Sequence, residues 1–440
     1  MASTLYYPYP AAPVAPPPPP YGGAEAARDA ALRSLARVLL AVLLIFVMAF
    51  ASGAVNAMLF VDIYNPEYEN PLARYSWLPV YAITLGLVLL KLPHVLRLVT
   101  FAPLIVVCVI IAGASYFWSV DPALTMRRTV ALVFTTSLGL ALAAWLSWAR
   151  LVQSVAATFL LLALATVAVV LLNPARGIME EIFVGAWRGP WLQKNELGGV
   201  MTKGLIACLG ACAVRPSRAW LWVPAGMLCF ALVLMSTSKT SLLISCGSIA
   251  LFGWLALYRK MALLRPVLWF GLIGGTALFT VAVTLFPAEL LGLIGKEPTL
   301  TGRTDIWNAL SLAISERPWG GYGYGAFWLD PLGASYQVRQ TLEWGVPSAH
   351  NGWIEIWLAG GVGLVAVFGL HTLITLGALI RRLRQGGRET YWAVLFVLAF
   401  IGFSVSESSI LQQNDLTWVL FVAASAKVLA GERMPRLPRD

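Results

Sequence analysis

Arg303 and His350 stand near the two ends of one polar segment, residues 288–349, the long break between apolar runs in this chain. Arg303 lies in Thr301-Gly302-Arg303-Thr304-Asp305-Ile306-Trp307, and His350 in Ala349-His350-Asn351-Gly352-Trp353. A guanidinium fork grips two phosphate oxygens at once, and free backbone N–H groups at a helix start add to it. Ile306, Trp307, Leu310, Ala313 and Ile314 follow Arg303 at helical spacing, so a short amphipathic helix is expected there. Thr301 or Thr304 would cap it, Asp305 suits its first turn, and Pro318 lies beyond its end. The competing reading of Arg303 is a snorkelling side chain or a partner for Asp305. An imidazole, with an ordinary pKa of about 6.5, accepts a proton from a hydroxyl at neutral pH, which makes His350 a candidate general base. Its competing role is to begin the next helix, where Asn351 adjoins it. A phosphate grip and a base point to chemistry on an anionic, sugar-bearing substrate.

Further cations share the expected outer face: Arg127 and Arg128 after Trp118-Ser119-Val120-Asp121-Pro122, then Arg188 and Lys194 before Asn195. Lys203 falls eight residues inside an apolar run, about 12 Å below its start by helical rise, so its ammonium needs an anion or a water-filled cavity. Lys239 sits in Ser236-Thr237-Ser238-Lys239-Thr240-Ser241 at a helix turn. Snorkelling would explain either lysine singly; both together favour an anion site. Between Arg303 and His350, Trp319-Gly320-Gly321-Tyr322-Gly323-Tyr324-Gly325 lacks the strand–turn–helix setting of a dinucleotide fingerprint and the pore setting of a potassium filter. It reads as a mobile aromatic loop in which Tyr322 and Tyr324 stack on sugar rings, or as an ordinary turn. The outer segments hold no Asp-x-Asp pair and no His/Cys/carboxylate set with metal spacing, so Arg and Lys are expected to neutralise leaving-group charge without a metal. No nucleophile elbow is present, which argues against a covalent acyl enzyme.

The elements that must position these residues are apolar helices. The chain is 59% hydrophobic, with a mean hydropathy of +0.76, more than a soluble core of this length needs. Runs of about 20 apolar residues recur, the length that crosses a ~30 Å hydrocarbon layer. We read twelve, roughly 36–59, 77–95, 98–117, 129–147, 151–173, 196–214, 219–236, 240–258, 266–287, 350–380, 391–405 and 415–431, the tenth long enough for an extra-membrane turn. The expected fold is an all-α polytopic membrane protein with about 12 transmembrane helices and one large periplasmic loop carrying short helices. Its parts are a disordered Pro-rich tail (1–34), nine spans (35–287), the loop (288–349), three spans (350–431) and a second tail (432–440). With the N-terminus inside, the inner segments hold 19 of the 31 basic residues and 5 of the 21 acidic ones, so both termini are expected to be cytoplasmic. The net charge of +10 is then a topology signal and carries no nucleic-acid footprint. Of the three histidines, His94 belongs to an inner loop and His371 to the inner interface, leaving His350 outside. The five cysteines all fall within spans, so no disulfide framework is expected.

On these residues the chain resembles the bacterial O-antigen ligase family, within the wider ligase/polymerase group. The resemblance rests on Trp118-Ser119-Val120-Asp121-Pro122 before Arg127-Arg128, Ser236–Ser241, Gly302–Trp307, Trp319–Gly325, His350-Asn351 with Glu355 and Gly360-Gly361-Val362-Gly363, and Ser406-Glu407-Ser408. It implies an inner-membrane glycosyltransferase, without a cofactor, acting at the periplasmic face. The implied donor is a glycan on undecaprenyl diphosphate, transferred with inversion to lipid A–core. Catalysis would fall to His350 and diphosphate binding to Arg303, Lys203, Lys239, Arg188 and Lys194, with Asn351, Asn195, Trp307, Tyr322 and Tyr324 in support. Lys239 stands where an Arg is expected, and a lysine binds phosphate as a point charge without bidentate geometry. The rivals are an O-antigen polymerase, a protein-glycosylating oligosaccharyltransferase and, from another class, a lipid or ion transporter. A transporter is disfavoured because central ionisable residues and internal repeats are scarce.

Overall fold

The structure is a computed structural model that describes residues 23–63, 70–181, 183–271, 274–275, 303–330, 332–343 and 345–431. Residues 1–43 form one unit, described from residue 23 as helix. Residues 44–440 form the second unit, which holds everything discussed below. The helix Gly23–Ala51 starts well before the expected end of the tail at residue 34, because Ala24–Arg37 is rich in strong helix formers. The proline run and the tail 432–440 lie outside the described residues.

The described chain is an all-helical polytopic bundle with no strand; Ile178 and Trp187 make one isolated antiparallel bridge. Among the described residues, eight helices are long and apolar enough to cross a membrane, or nine if one bent pair counts as a span. Nine of the twelve expected spans correspond to these, the bent pair included, and the count of twelve is not confirmed. The run 266–287 lies mostly outside the described residues. Thr390–Ser404 and Leu416–Ala430 are helices of only 15 residues each, nearly all of whose side chains are buried. Both match expected spans, 391–405 and 415–431, within a residue or two, and are apolar on every side as buried helices are. The bent pair joins Leu92–Phe101 to Pro103–Trp118 at 91°. Pro103 disfavours a helical residue before it, and Ala102 takes φ −125°, ψ 51°.

Lys194–Val214 is the central helix, packed against Trp148–Leu172, Ala219–Met235, Lys239–Lys260 and Thr390–Ser404. Leu416–Ala430 packs on Pro122–Trp145, and Gly352–Gln385 on Pro103–Ala114. His371, expected near the cytoplasmic end as an interfacial residue, is covered by the protein itself. It is 1% exposed, within van der Waals range of the Phe421 ring (centroids 5.9 Å apart), because Leu416–Ala430 packs over its face.

The long helix Gly352–Gln385, in the run read as long enough for an extra-membrane turn, is broken at Gly361 (φ 71°, ψ −171°). The break opens the helical bond between the Leu358 carbonyl and the Val362 N–H. Both groups are taken up by the glycine-rich segment: Tyr322 N donates to Leu358 O (2.6 Å) and Val362 N donates to Pro318 O (2.9 Å). Trp357 Nε1 also donates to Pro318 O (3.1 Å). A Cβ at Gly361 would fall on the Trp319 carbonyl, and one at Gly321 (φ 66°) on that of Leu358, so both positions need glycine. Trp118–Arg128 grips the other side of the segment. Trp118 Nε1 donates to Gly320 O, Val120 N to Tyr322 O, Thr125 Oγ1 to Tyr324 O and Arg128 to Gly325 O. The glycine-rich run is thus a plug between two helices, and the mobile loop expected from its composition is corrected.

Candidate active site

Residues 303–349 fold as a small lobe on this plug. Arg303–Glu316 forms the expected helix, burying Ile306, Leu310 and Ala313. Those three join Phe327, Trp328, Val338 and Val346 in an apolar core, with Trp307 and Ile314 packed at its edge. A second helix, Ala334–Leu342, covers the core. Thr304 is the helix's second residue and not its cap; Thr301 and Gly302 lie outside the described residues. Arg303 therefore stands at the first described position of a helix that opens with Asp305 in its first turn.

The lobe brings Arg303 beside His350 through a residue that had entered only as part of a motif, Glu407. One terminal guanidinium nitrogen of Arg303 lies 3.0 Å from Glu407 Oε1, and His350 Nδ1 lies 3.8 Å from Glu407 Oε2. The side chains are 14%, 23% and 33% exposed for Arg303, His350 and Glu407, so the triad is shielded but reachable. His350 has φ 47°, a left-handed backbone that His adopts more readily than most residues. The peptide before it is held on both sides: Ala349 N donates to Glu355 Oε1 (2.6 Å), and Trp307 Nε1 donates to Ala349 O (3.0 Å). Glu355 also accepts from Trp328 Nε1 (3.0 Å) and Ser408 Oγ (3.3 Å), tying the segment before His350 to the one after Glu407. Asn351 follows as a helix cap, its side chain accepting from Trp353 N (2.9 Å) and Ile354 N (3.3 Å). Trp307 thus holds the residue before His350, and Asn351 caps the helix that follows it.

That grip gives a first expected result. Trp307→Phe keeps the apolar ring but leaves the buried Ala349 carbonyl without its donor, a loss of about 1–3 kcal/mol. Transfer per folded protein should fall roughly ten- to a hundredfold, the effect of a misplaced reacting group. Wild-type turnover in this variant would show that the Ala349 carbonyl does not fix the imidazole.

The lysines expected at a phosphate site lie in different settings. Lys203 finds its anion within the chain: Nζ donates to Thr417 Oγ1 (2.8 Å), and the carboxylates of Asp415 and Glu407 act on its charge. It therefore belongs to the same charged cluster as Arg303. Lys194 donates to Thr237 Oγ1 (3.1 Å) and lies over the Phe183 ring, 3.9 Å from its centroid. Ser236, Ser238 and Ser241 are buried against Gly198, so the serine cluster is helix-packing material, and Lys239 is its exposed charged member at a helix start. Asn195 is half-buried in the first turn of Lys194–Val214. Arg188 turns to its own segment, donating to the Arg176 and Ala175 carbonyls (2.9 Å each).

Tyr322 and Tyr324 are corrected as sugar-stacking residues. Each is 5% exposed: Tyr322 packs into the lobe core, and Tyr324 is seated toward the segment around Leu411 and Gln413. The Tyr322 hydroxyl donates to Ala313 O (2.8 Å) and lies 3.2 Å from Glu316, and burial with that neighbouring carboxylate pushes its pKa up to about 12. The Tyr324 hydroxyl is held by the Leu411 carbonyl and the Gln413 side chain, and burial raises its pKa as well. The aromatic side chain that the segment does present is Trp319, which is 80% exposed.

Residues 224–369 match a family model described as O-antigen ligase. The match takes in Lys239, Arg303, Trp307, the plug, His350, Asn351 and the break at Gly361. A curated relative, the exopolysaccharide production protein ExoQ of Rhizobium meliloti (strain 1021), is 26% identical over 383 residues, covering 80% of this chain and 83% of its own length. Motifs, matched model and distant relative agree, and together they support the O-antigen ligase family for this chain.

Proposed function

We propose that the protein is an O-antigen ligase, which transfers a glycan from undecaprenyl diphosphate to the lipid A–core oligosaccharide. The observation that carries this reading is the Arg303 guanidinium and the His350 imidazole standing on either side of one carboxylate, Glu407. In this reading a hydroxyl oxygen of the acceptor attacks the anomeric carbon of the donor. The bond from that carbon to the diphosphate oxygen breaks, and its electron pair leaves with the diphosphate. His350 takes the proton of the attacking hydroxyl. Arg303 and Lys203 stabilise the departing charge without a metal, with Lys194, Lys239 and Arg188 as outlying cations along the path of the polyanion. Displacement on the face opposite the leaving group inverts the anomeric centre. The charge bias of the connecting segments supports an inner-membrane protein with both termini cytoplasmic and the site on the periplasmic face.

A second reading, polymerisation onto another lipid-linked glycan, is favoured by the name of the relative, which is an exopolysaccharide production protein. The two readings share donor and chemistry and differ in acceptor. A strain deleted for the gene separates them on a lipopolysaccharide gel. Ligase loss leaves bare core while full-length lipid-linked polymer accumulates. Short lipid-linked units without polymer would establish the polymerase, and an unchanged gel with normal exopolysaccharide would remove both.

A further inference from the structure

Glu407 faces two groups that the proposed reaction uses at different moments. Its Oε1 lies 3.0 Å from an Arg303 nitrogen, within hydrogen-bond range, while its Oε2 stops 3.8 Å short of His350 Nδ1, beyond that range. The residue lies in the connection after Thr390–Ser404, held by its backbone N–H on the Phe403 carbonyl (2.7 Å), with its carboxylate one-third exposed and able to turn. The charged groups around this pair come from every packed element. Arg303 comes from the lobe helix, Glu355 from the helix that follows His350, Glu196 and Lys203 from the central helix, and Asp415 from the start of the last helix.

We propose that Glu407 is a positioning residue that holds Arg303 while the donor is absent and turns to His350 when the donor's diphosphate takes the guanidinium. The inference rests on the reading of Arg303 and His350 given above. A diphosphate carries more charge than a carboxylate and offers the guanidinium a full bidentate partner, so it displaces Glu407. The released carboxylate meets like charge from Glu196, while the Lys203 ammonium already donates to Thr417 and has the Asp415 carboxylate acting on it. The imidazole N–H is the donor left beside it. A carboxylate on Nδ1–H fixes the tautomer, leaves Nε2 bare and stabilises the imidazolium formed in the reaction. The base is thereby set only after the donor has bound, which spares an empty site from misaligned proton transfer.

The test uses full-length protein in nanodiscs. Undecaprenyl diphosphate without glycan probes binding, and lipid-linked glycan extracted from the deletion strain probes turnover. Glu407→Gln removes the competing charge from Arg303, so the lipid should bind about two- to fivefold tighter, the worth of a partly exposed ion pair. The same change offers His350 an amide and disturbs its tautomer, so turnover should drop roughly a hundredfold or more. Glu407→Asp keeps the charge but shortens the reach to Arg303, so it should tighten binding less than Gln and keep more turnover; if the Gln variant does not fold, Asp carries the test. In an Arg303→Ala background, Glu407→Gln should no longer tighten binding. A purely structural Glu407 would weaken binding and turnover together, and that result overturns the proposal while leaving Arg303 and His350 in place. If Arg303→Ala binds the lipid as tightly as wild type, the reading of the site itself fails, and this inference with it.

Discussion

His350→Ala is expected to abolish transfer while the protein still accumulates in the membrane. The lost step is removal of the proton from the attacking hydroxyl, a contribution of about 10²–10⁴ in rate. The substitution has a structural side that must be controlled. His350 has a left-handed backbone, which His, Asn and Asp tolerate better than Ala. His350→Asn keeps that conformation and the shape of the turn but supplies no base. Both variants should therefore be inactive, and the Asn variant should match wild type in thermal stability. Transfer in the Asn variant near the wild-type rate would reduce His350 to a residue that starts a helix. The held peptide supports the catalytic assignment, because Glu355 and Trp307 fix Ala349 from both sides and so aim the side chain that follows.

Much of this arrangement was legible along the chain, and what was not has physical causes. Arg303 and His350 were visible because they stand near the two ends of the long polar break between apolar runs. The helix Arg303–Glu316 was visible because Ile306, Leu310 and Ala313 recur with its period. Glu407 appeared in a motif but not in a role, since its partner Arg303 is 104 residues away and no local pattern links them. Lys203 showed that it needed an anion; that Asp415 and Thr417 meet it depends on how two helices pack. The glycine-rich run was misread because Gly and Tyr suit both a mobile loop and a tightly gripped one. What decides is the open pair of backbone groups at Gly361, and a glycine within an apolar run does not announce a broken helix. The motifs that looked weak singly are one object: Trp118–Pro122, Trp319–Gly325 and Gly360–Gly363 meet at the plug on which the lobe stands. Its backbone hydrogen bonds tie the lobe to the Trp118–Arg128 segment and to Gly352–Gln385.

Arg303→Lys is expected to fall well short of wild type, which tests whether the guanidinium acts by geometry or by charge alone. A lysine keeps the charge but loses the second parallel hydrogen bond to a phosphate. Losing one hydrogen bond to a charged group costs about 1.5–3 kcal/mol. That is roughly ten- to a hundredfold in rate if the bond forms in the transition state. Arg303→Ala should be worse, because the separating diphosphate would face a shielded site with one cation fewer. The ion pair with Glu407 makes this contrast more informative. If Arg303 served only as its partner, lysine would replace it, since a partly exposed pair of this kind contributes about 0–1 kcal/mol and has no strict geometry. Ala would then lower the yield of folded protein more than its specific activity. The measurement is transfer per folded enzyme for wild type, Lys and Ala at equal extracted amounts. Wild-type activity in both variants would remove Arg303 from the site. Wild-type activity in Lys alone would leave it as a charge, with Lys203 the cation that must then account for holding the diphosphate.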